Sequence, residues 1–315
     1  MLTTVIRVIW PLRALTASAR AVADGELRAE VPVSGPQEFR ALGADVGAMR
    51  YRLLEEINRA RLAAEALRHD GPTVAALHEA LAPRHDQVPG VIAVGRLDPA
   101  EGVLAGDWYD LIRIGDSLAM VIGDVSGHGP ASAVLALGLR AVISTVLTGG
   151  GSPGEALAAA AASVADETPE HFATVFVAVI DPAAGRLRYG NAGHPAAIVH
   201  RAASLDGAWT ELAPTGPLLS PVVARWNWST QTQAFEAGDA LLAYTDGITE
   251  GRNATNEEYG IERLKHDVDA TLPRLLNDAV NLIAANVNRF VGASQSDDRT
   301  LVYCLRPLGS QAALR

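Results

Sequence analysis

Five short segments place aspartates beside glycines or at the ends of apolar runs. Asp124 and Asp246 each come at the end of an apolar run that predicts a strand. A carboxylate in such a position is held by a rigid element, while a neighbouring glycine lets the backbone approach closely. The five segments are residues 106–110 (Gly-Asp-Trp-Tyr-Asp), 123–129 (Gly-Asp-Val-Ser-Gly-His-Gly), 238–239 (Gly-Asp), 245–247 (Thr-Asp-Gly) and 297–298 (Asp-Asp).

Carboxylates that converged from these segments would repel one another unless cations lay between them. Sites built from oxygen ligands favour magnesium or manganese. Two such ions, roughly 3.5–4 Å apart, activate water and stabilise in-line displacement at phosphorus. A single Asp-Gly pair is usually a turn, so the prediction of a metal site depends on the whole set.

The elements that position these residues begin at Val88, where the apolar periodicity changes. Strands and helices then occur in separate pairs and do not alternate one by one. This order favours an α+β sandwich over a parallel doubly wound sheet. Predicted strands cover 91–94, 110–114, 118–122, 173–180, 186–190, 196–201, 230–235, 240–244 and 300–305, and predicted helices cover 131–147, 153–166 and 272–290.

The region before Val88 has helical periodicity. Apolar residues at Phe39, Leu42, Val46 and Met49 alternate spacings of three and four, the pattern of a coiled-coil seam. A similar stripe begins at Leu12, and an extended Pro- and Gly-containing connector separates the two. The pattern indicates a parallel dimeric bundle, and an ordinary amphipathic hairpin packed on the rest of the chain is the alternative.

Six motifs occur in one order along the chain: residues 106–110, 123–129, 172–174 (Phe-Ala-Thr), 191–195 (Asn-Ala-Gly-His-Pro), 244–247 (Tyr-Thr-Asp-Gly) and 297–300 (Asp-Asp-Arg-Thr). Over about residues 77–306 the chain closely resembles the SpoIIE-like branch of the PPM metal-dependent serine/threonine phosphatases. Residues 12–57, with Pro11 in front and Glu38 opening the second helix, resemble a HAMP domain.

The resemblance implies a PPM-type antiparallel β-sandwich flanked by helices, with two manganese or magnesium ions at one end. It places the metal-binding aspartates at Asp107, Asp124, Asp246 and Asp297, with the backbone carbonyl of Val125 as a further ligand. Asp298 is expected to support the ligands from behind. Residues expected to support the ligands or order the loops around them also include Gly127, His128, Thr174, Asn191 and His194.

The chain departs from the family's pattern at two points. Ala105 precedes Gly106 where the family usually has two glycines, a change that is tolerable unless the backbone needs a positive φ. The wider family's phosphate-binding arginine has no clear counterpart, which leaves open how the substrate phosphate is held.

The predicted organisation is a short apolar lead at 1–10, a HAMP-like dimerisation segment at 11–57, a helical linker at 58–87, a phosphatase domain at 88–308 and a tail at 309–315. By resemblance, the substrate is a phosphoserine or phosphothreonine on a small regulatory protein, such as an anti-sigma-factor antagonist. The HAMP-like helices predict a homodimer, and the linker would carry its signal to the metal site.

Charge and hydropathy restrict the remaining function classes. The net charge of −10 lies entirely within 88–315, which argues against nucleic-acid binding. The apolar stretch at 1–10 is too short for a spanning helix or a signal peptide. We therefore expect a cytoplasmic protein as written, or one at the cytoplasmic face of the membrane if a transmembrane segment precedes it.

Five residues outside the proposed ligand set invite interpretation. Ser126 beside His128 suggests a nucleophile and base, but the surrounding glycines favour a metal loop, and Cys304 lacks the arginine that a cysteine-based phosphatase needs. Trp226 and Trp228 alternate on an apparent strand, which predicts that one is buried and the other is a contact surface.

Three other function classes are alternatives to a phosphatase. A pseudophosphatase that only binds a partner is the main alternative, and loss of a metal carboxylate would be its mark. All four carboxylates are present. A sensor kinase or a cyclase would need nucleotide-binding elements that the sequence lacks.

Overall fold

The computed structural model describes residues 77, 79–100, 105–127, 129–165, 171–203, 209–271, 276–292 and 297–308. The chain divides into two compact units, Met1–Gly71 and Pro72–Arg315, and every described residue lies in the second. The predicted HAMP-like helices, most of the linker and His128 lie outside the described residues.

Ten strands and five α-helices make up the described part of the chain. The strands are β1 (Ile92–Asp98), β2 (Asp107–Ile114), β3 (Ser117–Val125), β4 (Ala173–Asp181), β5 (Arg186–Ala192), β6 (Ala197–His200), β7 (Trp209–Leu212), β8 (Gln231–Ala234), β9 (Ala240–Tyr244) and β10 (Arg299–Leu305). The helices are α1 (Pro130–Thr148), α2 (Pro153–Ser163), α3 (Asp246–Thr249), α4 (Gly260–Thr271) and α5 (Leu276–Val291), with a 3-10 turn at Pro221–Val223.

The strands form two five-stranded antiparallel sheets, in the orders β2-β3-β4-β5-β8 and β1-β10-β9-β6-β7. Alternate residues along each strand face opposite sides. In β3, Met120 and Ile122 lie in the core between the sheets, whereas Ala119 and Val121 pack under α1 and α2. Helices α4 and α5 cover the outer face of the second sheet. This architecture confirms the predicted α+β sandwich.

Several local predictions differ from the structure. Helix α2 ends at Ser163, earlier than predicted, and α4 and β7 were not anticipated. The region of Trp226 and Trp228 is a loop and not a strand, although one side chain is buried and the other exposed as expected. Alternation therefore indicated the burial correctly but not the secondary structure.

Helix α1 is apolar on nearly all sides. Among the described residues, it contains the one stretch, Ala131–Thr148, that is long and apolar enough to cross a membrane by length and composition, and 44% of that stretch is buried within the fold.

Candidate metal centre

The β2–β3 hairpin places two of the predicted aspartates side by side. Asp107 and Asp124 are directly opposite each other in the antiparallel register. Both belong to the row that faces the second sheet, because Tyr109 and Ile122, two positions along each strand, lie in the core between the sheets. The two carboxylates therefore occupy one end of the sandwich interior.

Asp107 is held by two threonines of the opposite sheet. The hydroxyl groups of Thr245 and Thr300 each donate a hydrogen bond of 2.7 Å to its Oδ2 atom. The backbone N–H of Thr300 donates to the Thr245 hydroxyl at 2.9 Å, which fixes the two donors relative to each other. The Asp107 carboxylate is thus locked in orientation across the two sheets.

The electrostatics of this end are dominated by unbalanced negative charge. Burial raises the pKa of Asp107 well above its usual value, and the nearby Asp124 raises it further. Burial, followed by the charges of Asp246, Asp297 and Asp298, raises the pKa of Asp124 to about 7. The pKa of Asp297 is also raised, first by burial and then by Asp246 and Asp298. The predicted carboxylates are therefore close enough to repel one another.

The loop that carries Asp246 packs closely against the loop that carries Asp298, and a glycine permits this contact. A methyl group on Gly247 would overlap the carbonyl oxygen of Asp298, so only glycine lets the two loops approach this closely. Asp246 itself begins the short helix α3 directly after β9 and Thr245. The contact brings the last two acidic motifs of the sequence to the same edge as β3.

Asp298 and Asp297 have different surroundings. The Asp298 carboxylate accepts hydrogen bonds from the backbone N–H groups of Ala100 at 2.8 Å and Gly106 at 2.7 Å. Asp297 is the more exposed of the two, and its Oδ1 accepts the N–H of Asp298 at 2.9 Å. Asp298 therefore anchors the segment that carries Asp107, and its supporting role toward the metal ligands stays a prediction.

Gly106 lies against the backbone of the second aspartate motif. A methyl at this position would come within 2.6 Å of the Val125 carbonyl oxygen and 2.9 Å of that of Gly127. Ala105, by contrast, has no positive φ, since Asn256 is the one described non-glycine residue with that conformation. The departure from a double glycine is therefore accommodated without backbone strain.

A buried network beneath Asp124 contains the predicted loop residues. Thr174 is the partner of Asp124 in the β3–β4 register, and its hydroxyl lies 2.8 Å from Nδ1 of His194. The Asn191 side chain accepts the N–H of His194 at 2.8 Å and donates to its carbonyl at 3.1 Å. Burial lowers the pKa of His194 to about 3. His194 is therefore neutral and is held by Thr174 and Asn191, and its role in ordering the loop at the site stays a prediction.

Two acidic positions from the sequence analysis lie elsewhere. Asp110 projects to the opposite face of β2 and forms a buried ion pair with Arg140 of α1, with an Nη2–Oδ1 distance of 2.7 Å. Asp239 precedes β9, whereas Asp246 follows it, so the two lie at opposite ends of that strand. Asp239 pairs with Arg201 at 2.9 Å. Each of these two carboxylates is paired with an arginine and has a structural role.

Two threonines adjoin the acidic residues within the six motifs. Thr245 and Thr300 are part of the quoted Tyr-Thr-Asp-Gly and Asp-Asp-Arg-Thr segments, but no role was predicted for them. Thr245 directly precedes the predicted ligand Asp246, and Thr300 follows the predicted ligand Asp297 by three residues. Their function as donors to Asp107 requires contacts between sheets that spacing alone cannot supply.

The donor set fits a hard divalent cation. Among the described residues, no three His, Cys, Asp or Glu side chains are arranged to hold an ion by themselves. An ion here would therefore need backbone carbonyl and water ligands besides one or two carboxylates, a combination typical of magnesium. The mutual repulsion around Asp124 gives such a cation a strong electrostatic advantage.

Comparison with known proteins agrees with this geometry. The family model of Stage II sporulation protein E (SpoIIE) matches residues 114–307. The chain belongs to the SpoIIE family. A HAMP domain model matches residues 6–55. The resemblance to SpoIIE-like PPM phosphatases preceded by a HAMP domain is thereby confirmed.

Two curated relatives cover different lengths of the SpoIIE-family chain. Protein IcfG of Synechocystis sp. (strain ATCC 27184 / PCC 6803 / Kazusa) is 28% identical over 240 residues, which are 66% of this chain and 37% of IcfG. Phosphoserine phosphatase RsbP of Bacillus subtilis (strain 168) is 28% identical over 188 residues, 56% of this chain and 43% of RsbP. The aligned part of this chain thus spans less than half of each relative.

Solved structures share the fold. The RsbU and RsbW domains of Rv1364c from Mycobacterium tuberculosis superpose with a TM-score of 0.58 at 26% identity, covering 70% of this chain and 61% of that one. The catalytic domain of the serine/threonine protein phosphatase PstP, solved with two manganese ions, gives a TM-score of 0.50 at 14% identity, covering 68% and 97%. The second likeness concerns the fold alone.

Proposed function

We propose that this chain is a metal-dependent phosphatase that removes phosphate from phosphoserine or phosphothreonine on a regulatory protein. The observation that carries the proposal is the convergence of acidic motifs around Asp124, whose pKa is raised to about 7 by burial and by three neighbouring aspartates. Membership in the SpoIIE family and similarity to a phosphoserine phosphatase support the same activity.

Two magnesium or manganese ions would be held by Asp107, Asp124, Asp246 and Asp297 with the Val125 carbonyl. When bound, such ions lower the pKa of a coordinated water and neutralise charge on the phosphoryl group. The binding of two manganese ions by PstP, which has the same fold, supports this number.

The protein's own residues orient this site. Thr245 and Thr300 fix the Asp107 carboxylate, and Asp298 holds the backbone at Gly106. His194 has a pKa of about 3 and is therefore neutral near pH 7, so it does not serve as a cationic general acid. The side chain of Ser126 accepts the N–H of Phe172 at 3.1 Å, so it fastens a loop. These contacts favour an attacking water over a serine nucleophile.

The substrate, by resemblance, is a phosphorylated anti-sigma-factor antagonist or a similar small regulator. The name of RsbP as a phosphoserine phosphatase and the presence of an RsbU domain in Rv1364c support this class. The HAMP match supports a homodimer through the N-terminal helices. We place the protein in the cytoplasm, or at the cytoplasmic face of the membrane if a membrane helix precedes the chain.

The linker reaches the phosphatase fold at a defined point. Arg140, held by Asp110, donates hydrogen bonds to the carbonyls of Ala80 at 3.3 Å and Ala82 at 3.0 Å. Leu77 and Leu81 pack against Ala133 in the first turn of α1, which follows the metal loop. A signal from the HAMP domain would therefore act on α1. Activity that is equal across register-shifted rigid coiled-coil replacements of residues 58–76 would contradict this route.

The activity is tested with an aryl phosphate and a phosphoserine peptide in the presence of manganese, magnesium or a chelator. Asp124→Asn should abolish turnover, whereas Asp116→Asn, at a 94% exposed turn in the same hairpin, should leave it intact. Metal-independent turnover, or full activity of Asp124→Asn, would contradict the proposal. A folded protein that binds both ions but hydrolyses neither substrate would favour a partner-binding module.

A further inference from the structure

Exposed apolar and cationic side chains lie on two segments, at Phe172 and at residues 222–226, that hydrogen bonds connect to the metal loop either directly or through Leu219. Phe172, Val222 and Trp226 are 41%, 79% and 52% exposed, and they are three of the five large apolar side chains that stand out at the described surface. Arg225 lies between the last two in sequence and is also exposed. We call these four residues the rim surface. Packing within the fold does not explain why their side chains are exposed.

Hydrogen bonds connect the rim surface to the metal loop. Ser126 exchanges two hydrogen bonds with Phe172, at 2.9 and 3.1 Å. Ala173 pairs with Val125 in the β3–β4 register and bridges to Leu219 through two further hydrogen bonds of 2.9 and 2.8 Å. Since adjacent strands lie about 4.8 Å apart, the Leu219 backbone is about 10 Å from Val125. The rim surface is therefore within reach of a protein whose phosphate occupies the site.

The loop is anchored so that Trp226 stays outside. Trp228 is 5% exposed and donates from Nε1 to the Pro217 carbonyl at 2.8 Å. The N–H of Trp226 donates to Val223 at 2.9 Å and closes the turn. A methyl on Gly216 would lie 2.9 Å from the Trp226 indole nitrogen, so the ring rests on bare backbone. An exposed tryptophan on an ordered loop is typical of a protein contact surface.

The charge of Arg225 indicates what that partner presents. Most described arginines pair with a carboxylate, but the Arg225 guanidinium has no hydrogen bond or ion pair with another described residue. It lies in a region of the chain, 88–315, with a net charge of −10. An acidic partner would be repelled by most of this surface and attracted at Arg225.

We propose that the rim surface docks the phosphoprotein substrate, with Trp226 contacting an apolar side chain and Arg225 an acidic side chain that flank the phosphoserine. The inference rests on the proposed phosphatase function and adds to it a determinant of substrate choice. We assign Arg225 to a flanking carboxylate and not to the phosphate being removed, because the Leu219 backbone that leads into its loop lies about 10 Å from Val125.

The test uses four matched phosphoserine peptides in which the flanking residues are apolar and acidic, apolar only, acidic only, or glycine and serine. The wild-type protein should prefer the apolar and acidic peptide in kcat/KM. Trp226→Ala should lose about tenfold on peptides with the apolar flank, and Arg225→Ala about tenfold on those with the acidic flank. Neither variant should change kcat/KM for a small aryl phosphate.

Two controls match the substitutions. Arg188→Ala removes an equal charge at a position that pairs with Val179, five residues along β4 from Thr174. Leu308→Ala removes a 53% exposed apolar side chain beyond the far end of β10. Neither should alter peptide preference.

The outcomes distinguish a failure of the docking proposal from a failure of the proposed phosphatase function. Peptide preferences that survive in both rim variants, or that are absent in the wild type, would overturn the docking proposal while aryl phosphate turnover upholds the phosphatase. A loss of aryl phosphate turnover in Arg225→Ala would also overturn it, by showing that Arg225 holds the reacting phosphate. An absence of wild-type turnover on every substrate would instead contradict the proposed function.

Discussion

The hydroxyl of Thr300 on the second sheet donates a 2.7 Å hydrogen bond to the Asp107 carboxylate on the first. The carboxylate of the first acidic motif is therefore positioned by the last motif of the chain. Burial of both residues excludes water from this bond and strengthens it. The orientation of a proposed metal ligand thus depends on the packing of the two sheets.

Thr300→Val should weaken metal binding. The substitution removes one of two donors to Asp107 Oδ2 and leaves the carboxylate free to rotate. Substitution of a residue that hydrogen-bonds to a metal ligand reduces metal affinity or enzyme activity by about 10–100-fold. The manganese concentration for half-maximal phosphatase activity should therefore rise at least about tenfold, and Thr300→Ser should restore it. An unchanged manganese dependence in Thr300→Val would show that this donor does not position the ligand.

Asp124→Asn should stabilise the metal-free protein at high pH. An acid whose pKa is raised by folding, here to about 7, favours the folded state at low pH, and that contribution is lost as the pH rises from the unfolded-state value to the folded-state pKa. Without metal, the variant should melt above the wild type at about pH 8, and this advantage should shrink as the pH falls and disappear at about pH 4.

Thermal melts in chelator measure this difference, with Asp116→Asn as the exposed control. Each kcal/mol corresponds to about 2–4 °C for a domain of this size. Added manganese should reverse the order, because it stabilises only the protein with the intact carboxylate. If Asp124→Asn melted below the wild type at high pH in chelator, the charge of Asp124 would not destabilise the metal-free protein.

Asp110→Asn should destabilise the fold without direct loss of a metal ligand. Asp110 and Arg140 are 1% and 7% exposed, and the substitution leaves the guanidinium buried without its counter-charge. Breaking such a pair costs about 3–5 kcal/mol. The melting temperature should fall by about 10 °C. The double variant Asp110→Leu/Arg140→Met should recover much of the lost stability. An Asp110→Asn protein as stable as the wild type would show that the buried ion pair does not contribute to stability.

Gly247→Ala should disrupt the metal centre, because its methyl would overlap the Asp298 carbonyl and push the two acidic loops apart. Gly138→Ala provides a matched control, since a methyl there meets nothing within 4 Å and lies within α1. Helix propensity predicts that the control gains about 1 kcal/mol of stability. Equal phosphatase activity in both variants would contradict the close contact of the loops.

The sequence supported accurate predictions wherever local pattern and order along the chain were sufficient. The β2–β3 and β4–β5 hairpins follow from alternation and from Gly115-Asp116 and Gly185 at their turns. The burial of Trp228 and the exposure of Trp226 also followed from alternation, although no strand is present. The ligand roles of the aspartates came from motif order and remain predictions.

Contacts between distant segments could not be predicted. Asp107 and Thr300 are 193 residues apart, and the pairing of Asp110 with Arg140 joins a strand to a helix face. Asp110 lies in the same motif as the predicted ligand Asp107, but no role was predicted for it. Its side chain projects to the opposite face of β2, since successive residues of a strand alternate.

The proposed phosphatase activity depends on metal at this end of the sandwich. It can be measured as phosphate release from a phosphoserine peptide while manganese is added back to chelator-treated wild-type protein. We predict no release without metal, followed by a saturable rise in rate as manganese is added. A rate that is the same in chelator and in manganese would contradict a metal-dependent phosphatase.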